Sequence, residues 1–192
     1  DMAPKKTYYE ISDLAASKSF LGKEFLTWLW YYIEEEGGTF EVEQAINKKT
    51  IEAEIWIDDK ITFESTGSDT ARHSLFGGNP SDSLEATAAL LTGKIVSELK
   101  LGLHIGEDQY KFGLSAKDLT PKSITIPKEP TSGDRYSAAL FRIGHLDTLM
   151  RCQDAIFSQF VNTRIQASWE EESLQNLRSW ISQRKEETQK LH

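Results

Sequence analysis

The sequence predicts an α+β domain: an antiparallel sheet of about five to seven strands packed against an aromatic N-terminal helix and two long C-terminal helices. Three observations predict it. Residues 20–36, FLGKEFLTWLWYYIEEE, set Leu21, Phe25, Trp28, Leu29 and Tyr32 at helical spacing. Residues 40–114 carry instead several runs in which apolar and polar side chains alternate, the mark of strands covered on one face. After Asp134 the helical period returns, twice.

In the first helix, Leu26, Trp30 and Ile33 widen the stripe until more than half the circumference is apolar. Such a helix needs cover from a sheet on one side and from other helices or a second subunit on the other. Phe25, Trp28, Trp30 and Tyr32, with Phe157 and Phe160 near the other end of the chain, are therefore candidates for core or self-association. Glu34, Glu35 and Glu36 run into Gly37-Gly38, where positive φ closes the last turn. Three acids at the negative end of a helix dipole call for basic groups nearby. Upstream, residues 2–10 read as extended, Ser12 or Asp13 caps a short helix through Ser17, and the main helix begins near Ser19.

Phe40 and Val42 alternate with Glu41 and Glu43, and Ile51, Ala53, Ile55 and Ile57 with Glu52, Glu54 and Trp56. Asp58-Asp59-Lys60 reads as a tight turn, with Ile61, Phe63 and Ser65 returning. Ala71 to Phe76 forms another strand, ended by Gly77-Gly78-Asn79-Pro80. Asp82 with Glu85 is a capping-box pattern for a helix through Leu91 that Gly93 closes. Leu99 to Ile105 and Tyr110 to Leu114 make a hairpin around Gly106-Glu107-Asp108, and Ser123 to Ile126 adds an edge strand. Asp134 caps a helix to about Ile165, with an apolar side drawn from Leu140, Ile143, Leu146 or Asp147, Met150, Ala155, Phe157, Phe160, Val161 and Ile165. Ser168 with Glu171 opens the last helix, striped by Leu174, Leu177, Trp180 and Ile181.

The 192 residues suit a single domain, 1–192, with a helix-and-sheet core at 18–133 and a helical part at 134–192. Lysine and arginine number 22 against 30 acids, a net charge of −8, which counts against a protein that coats nucleic acid with its whole surface but permits a local basic strip. Cys152 is the only cysteine, so no intramolecular disulfide and no cysteine-based zinc site can form, and a reducing, cytoplasmic setting is expected. Lys23, Glu24 and Thr27 interrupt the longest apolar stretch, no signal peptide is visible, and no membrane partner is expected.

Catalytic and metal chemistry find little footing. His73, His104 and His145 lie far apart with no partner at i+2 or i+4, and Cys152 sits mid-helix, away from the helix start that would lower its pKa. Glu41, Glu43, Glu52, Glu54, Asp58 and Asp59 invite comparison with a two-metal nuclease, but alternation makes them the solvated face of a sheet. Gly77-Gly78 lacks the Lys-Ser or Lys-Thr of a phosphate loop. No catalytic residue, metal or cofactor is expected. Lys48 and Lys49 fall on a hairpin tip, while Lys100 and Lys111 share a hairpin and meet Lys117 and Lys122 on the outward sheet face. These six are the candidates for phosphate contact.

Three blocks carry a family resemblance: FLGKEFLTWLWYYIEEEGG at 20–38, GEDQYKFGL at 106–114, and LFRIGHLDTLMRCQDAIFSQFVNTRI at 140–165 followed by Trp169 and LRSWI. Together they resemble the recombination-associated RdgC-like proteins, closest to the C-terminal part of the longer, divergent bacterial members, over most of residues 18–182. The resemblance implies a bacterial, non-enzymatic protein that forms a homodimeric ring around duplex DNA without sequence preference and modulates recombination or replication at the nucleoid. The alternatives are a protein-interaction module that keeps the fold without binding DNA and, behind it, a metal-dependent nuclease.

Overall fold

The computed structural model describes residues 11–43, 49–65, 71–129 and 134–190. Helix α1 spans Ile11–Glu35 without a break. The short helix expected to end at Ser17 is thus continuous with the main one, since Ser17, Lys18 and Ser19 include no glycine or proline to interrupt it. Gly37 and Gly38, at φ 77° and 66°, end the helix as expected.

Strands β1 (Thr39–Glu43), β2 (Thr50–Glu64), β3 (Arg72–Phe76), β4 (Ile95–Ile105), β5 (Asp108–Ser115) and β6 (Pro121–Thr125) form one six-stranded antiparallel sheet. Its order is β1-β2-β4-β5-β6, and β3 pairs with the second half of β2. The expected turn at Asp58-Asp59-Lys60 is not made. β2 runs on for 15 residues, and the register slips between the pairs Ile57↔Leu101 and Ile61↔Leu99. Three residues on β2 thus face the single Lys100 on β4, a bulge that holds the polar triplet without reversing the chain.

α2 (Leu84–Leu91) starts one residue later than the capping box predicted. Ser83 is its N-cap and accepts a bond from the Ala86 amide at 3.1 Å, while Asp82 belongs to a preceding 3-10 turn, Pro80–Asp82. α3 (Arg135–Arg164) is capped by Asp134 as expected, the Ser137 amide donating to Asp134 Oδ1 at 2.7 Å. α4 spans Ser173–Lys190 and begins after a 3-10 turn at Ala167–Trp169, so the box at Ser168 does not open it.

The core lies between the inner sheet face and the helices. Phe25, Trp28, Trp30 and Tyr32 are all buried there, among Ile55, Phe63, Leu101, Leu103 and Phe112 from the sheet. Phe25 meets Phe157 and Phe160 of α3 at 5.1 and 5.5 Å, and Trp30 meets Trp180 of α4 at 5.4 Å. The cover that α1 requires is therefore supplied within the chain: five of the six aromatic candidates are buried, and Phe157 is partly buried against the same core. The basic group expected near Glu34–Glu36 is Arg184 of α4, which pairs with Glu34 and lies against both Trp30 and Trp180.

α3 departs most from expectation. Its buried stripe is Leu149, Cys152, Ile156 and Phe160, whereas Leu140, Ile143, Leu146, Met150 and Ile165, assigned to the covered side, are exposed. The helix is apolar on two opposite sides, and only one of them meets the domain.

Candidate nucleic-acid interface

Alternation along β2, β4 and β5 sends one set of side chains away from the helices, and the register sorts that outward face into two halves. Toward β1 it is acidic, with Glu41 opposite Glu52 and with Glu54 opposite His104. Toward the β2 bulge and β6 it is basic. Lys60, Lys100 and Lys122 stand on three strands around Gly113, joined by Lys111 one row away and by Arg72 on β3.

Gly113 accounts for the shape of this half. It lies between Lys100 on β4 and Lys122 on β6, and with no side chain it leaves a basin of about 390 Å³. Lys60, Lys100 and Lys122, with Glu98, Ser115 and Ser123, line it. One row away Gly102 plays the opposite part. The indole of Trp56 lies directly on it, where an added Cβ would stand 2.1 Å from the ring, and His104 packs on Trp56 at 4.7 Å.

The basic groups are tied to carboxylates. Lys60 donates to Glu98 at 3.1 Å, and Arg72 pairs with the other Glu98 oxygen at 3.1 Å. Lys100 donates to Asp59 at 3.0 Å and stands 3.7 Å from Asp58, which also accepts from Lys111 at 2.8 Å. Lys122 donates to Asp118 at 3.0 Å. Partial burial pushes the Glu98 carboxyl up, but the hydrogen bonds and charges of Lys60 and Arg72 outweigh it and hold the group below its usual range. The hydrogen bond to Asp59 raises Lys100, and the Thr120 amide followed by Lys122 lowers Asp118. Five basic side chains thus meet four carboxylates, so the half-face is close to neutral while its ammonium groups remain at the surface.

Of the six lysines singled out in the sequence, three come together here: Lys100, Lys111 and Lys122. Lys117 is exposed in the turn after β5, its amide donating to Ser115 Oγ at 3.3 Å. Lys49 is exposed just before β2, at the far end of that strand from the bulge, and Lys48 lies outside the described residues. Lys60 and Arg72 were missed. Reading Asp58-Asp59-Lys60 as a turn concealed that Lys60 faces the same way as Lys100, and Arg72 owes its position to β3 pairing.

The other chemistry-bearing residues are dispersed. The Cys152 thiol is buried under α3, and burial pushes its pKa up to about 12. His145 accepts or donates at 2.6 Å with the Tyr110 hydroxyl, and His73 is exposed on β3. Among the described residues no group of three or more histidine, cysteine or acidic side chains could hold a metal ion, and no helix is long and apolar enough to cross a membrane. No protein-family model, curated protein or solved structure matches the chain.

Proposed function

We propose that this chain is a non-enzymatic, sequence-independent duplex-DNA-binding protein of the RdgC-like type, modulating recombination or replication, and that it meets the phosphate backbone with the basic half of its outward sheet face. The observation that carries the reading is the convergence of Lys60, Lys100 and Lys122 around the basin over Gly113. The blocks that resemble the family support it by forming one core, since they fall on α1, β5, α3 and α4. Ion pairs that reach solvent, as the Lys122–Asp118 pair does and the others do in part, contribute only about 0–1 kcal/mol each, so a phosphate displaces a carboxylate partner at small cost. Counterion release then drives association, with a slope of roughly −0.9 in log K against log salt per phosphate contacted.

Fluorescence anisotropy with an arbitrary labelled duplex tests this. Binding at low salt is expected, with a slope near −3 for three contacts and at least tenfold loss in the K60E/K100E/K122E variant. No binding at tens of micromolar protein in low salt rejects it. Cleavage products on adding magnesium or manganese would favour the nuclease alternative instead.

A second reading, self-association as an interaction module, is favoured by α3. Tyr136, Leu140, Ile143, Leu146 and Met150 lie along one side of its N-terminal half, all exposed, opposite the buried stripe. The occupant that fits is a second copy. Around Ile143 the row is self-complementary in an antiparallel pair, matching Leu140 with Leu146 and Tyr136 with Met150, and Gly144 beside the centre has open space next to it. The exposed portions of these five side chains come to roughly 500 Å² per copy, which reaches the ~1,000 Å² total of a specific interface. Light scattering is expected to give a dimer that Ile143→Glu converts to monomer. A monomer at high concentration in the unsubstituted protein rejects this reading and removes the homodimeric ring from the first, leaving its phosphate contacts to the anisotropy test.

A further inference from the structure

Resting on the DNA-binding reading, we infer that the basic half-face also carries two base-stacking platforms, Phe76 and Trp56, and therefore prefers an unpaired strand to continuous duplex. Phe76 is 73% exposed although it lies within a strand. It is the Cα partner of Lys60, whose ammonium stands 5.6 Å from its ring centre and also lines the Gly113 basin. The aromatic surface is thus continuous with the candidate phosphate contacts. A solvent-exposed ring held by backbone pairing on a sheet has no packing role to explain it, whereas a base is a flat apolar partner of the right shape.

Trp56 stands on the same outward face, midway along β2. Gly102 beneath it removes the side chain that would tilt the indole, and the ring lies along the sheet with His104 against it. Each ring has a cation near it: Lys60 beside Phe76, and Lys111 in the row of Trp56 and Gly102, on the side of β2 away from Phe76. Positions 56 and 60 are four steps apart along β2, roughly 13 Å before the bulge shortens the path. Rings set beside ammonium groups are how a sheet takes a single strand, with the backbone on the ammonium groups and the bases on the rings. In duplex DNA the bases are stacked on one another and offer neither ring a face, so the aromatics contribute only where pairing is broken.

The test compares a labelled single-stranded oligonucleotide with a duplex of equal length, using the unsubstituted protein, Phe76→Ala and Phe76→Trp. The single strand is expected to bind more tightly. Phe76→Ala should lose about tenfold on the single strand and stay within about twofold on the duplex, while Phe76→Trp restores the single-strand affinity. An oligonucleotide carrying 2-aminopurine should show stacking-dependent quenching with the unsubstituted protein and with Phe76→Trp but less with Phe76→Ala. Duplex binding that depends on the lysines, with no preference for the single strand or no effect of Phe76→Ala, overturns this inference alone. Failure to bind either nucleic acid overturns it together with the reading on which it rests.

Discussion

The indole of Trp30 in α1 meets the indole of Trp180 in α4 edge to face, with ring centres 5.4 Å apart and planes at 85°. Arg184, one turn beyond Trp180, lies 4.9 and 5.2 Å from the two rings and bonds to Glu34 and to the Ser81 carbonyl. The Trp180 Nε1 donates to Glu34 at 3.2 Å. One partly buried acid on α1 thereby anchors the last helix through a charge and an indole. Burial raises the Glu34 pKa against the opposing pull of Arg184 and the two indoles, so this anchor depends on packing as much as on charge.

Removing the ring should expose that dependence. Trp180→Ala is expected to destabilise the fold by about 3–5 kcal/mol, since it opens a cavity beside Trp30 and frees Arg184 from one of its two rings. Urea denaturation followed by circular dichroism measures the shift in midpoint. A change below about 0.5 kcal/mol, the level of an ordinary surface substitution, would mean that α4 does not hold the core.

Two glycines should respond in opposite directions. At Gly22 in α1 an added Cβ would fall 2.0 Å from the Ala116 carbonyl oxygen, so Gly22→Ala must push α1 off the end of β5. A loss of about 1–3 kcal/mol is expected. At Gly144 in α3 nothing lies within 4 Å, and Gly144→Ala should gain about 0.5–1 kcal/mol from helix propensity. Thermal melts of both variants at low protein concentration decide the signs.

The Glu98 pairings predict a pH dependence. Because the folded carboxyl lies below its usual range, its contribution is present above the unfolded value near 4.3 and is lost as pH falls through the lower folded value. The side chain is one-third exposed, which limits the effect to about 1 kcal/mol or less. The stability difference between the unsubstituted protein and Glu98→Gln should stay level from pH 7 to 5 and shrink below that. A difference that grows toward acid would reverse the assignment.

Cys152 should be silent in the native state. Burial beneath α3 pushes the thiol up to about 12, so almost no thiolate exists at neutral pH and reagent has no path to the sulfur. Thiol labelling is expected to run at the rate of unfolding and to become immediate in denaturant. Rapid labelling without denaturant would show that α3 opens.

Much of this protein could be read from residue order, because helical and twofold periods report which side chains share a face. The stripe through Phe25, Trp28 and Tyr32, the hairpin of Leu101 and Phe112, and the cap at Asp134 follow from local rules alone. A period does not say which face will be met by a neighbour. That is why α3, apolar on opposite sides, could not be oriented until its Leu149–Phe160 stripe was seen on α1 and the sheet, leaving Ile143 outside. Nor does local chemistry separate a turn from a bulge. Asp58-Asp59-Lys60 has the composition of the first and adopts the second because β4 pairs with β2 on both sides of it. The lysine and aspartate contacts of the outward face, 41 residues apart for Lys100 and Asp59 and 53 for Lys111 and Asp58, come from that register. Local sequence determined which segments became helices and strands, since those energies act within a turn or two. Tertiary packing decided which surfaces stayed open, because covering a face depends on partners that are distant in the chain.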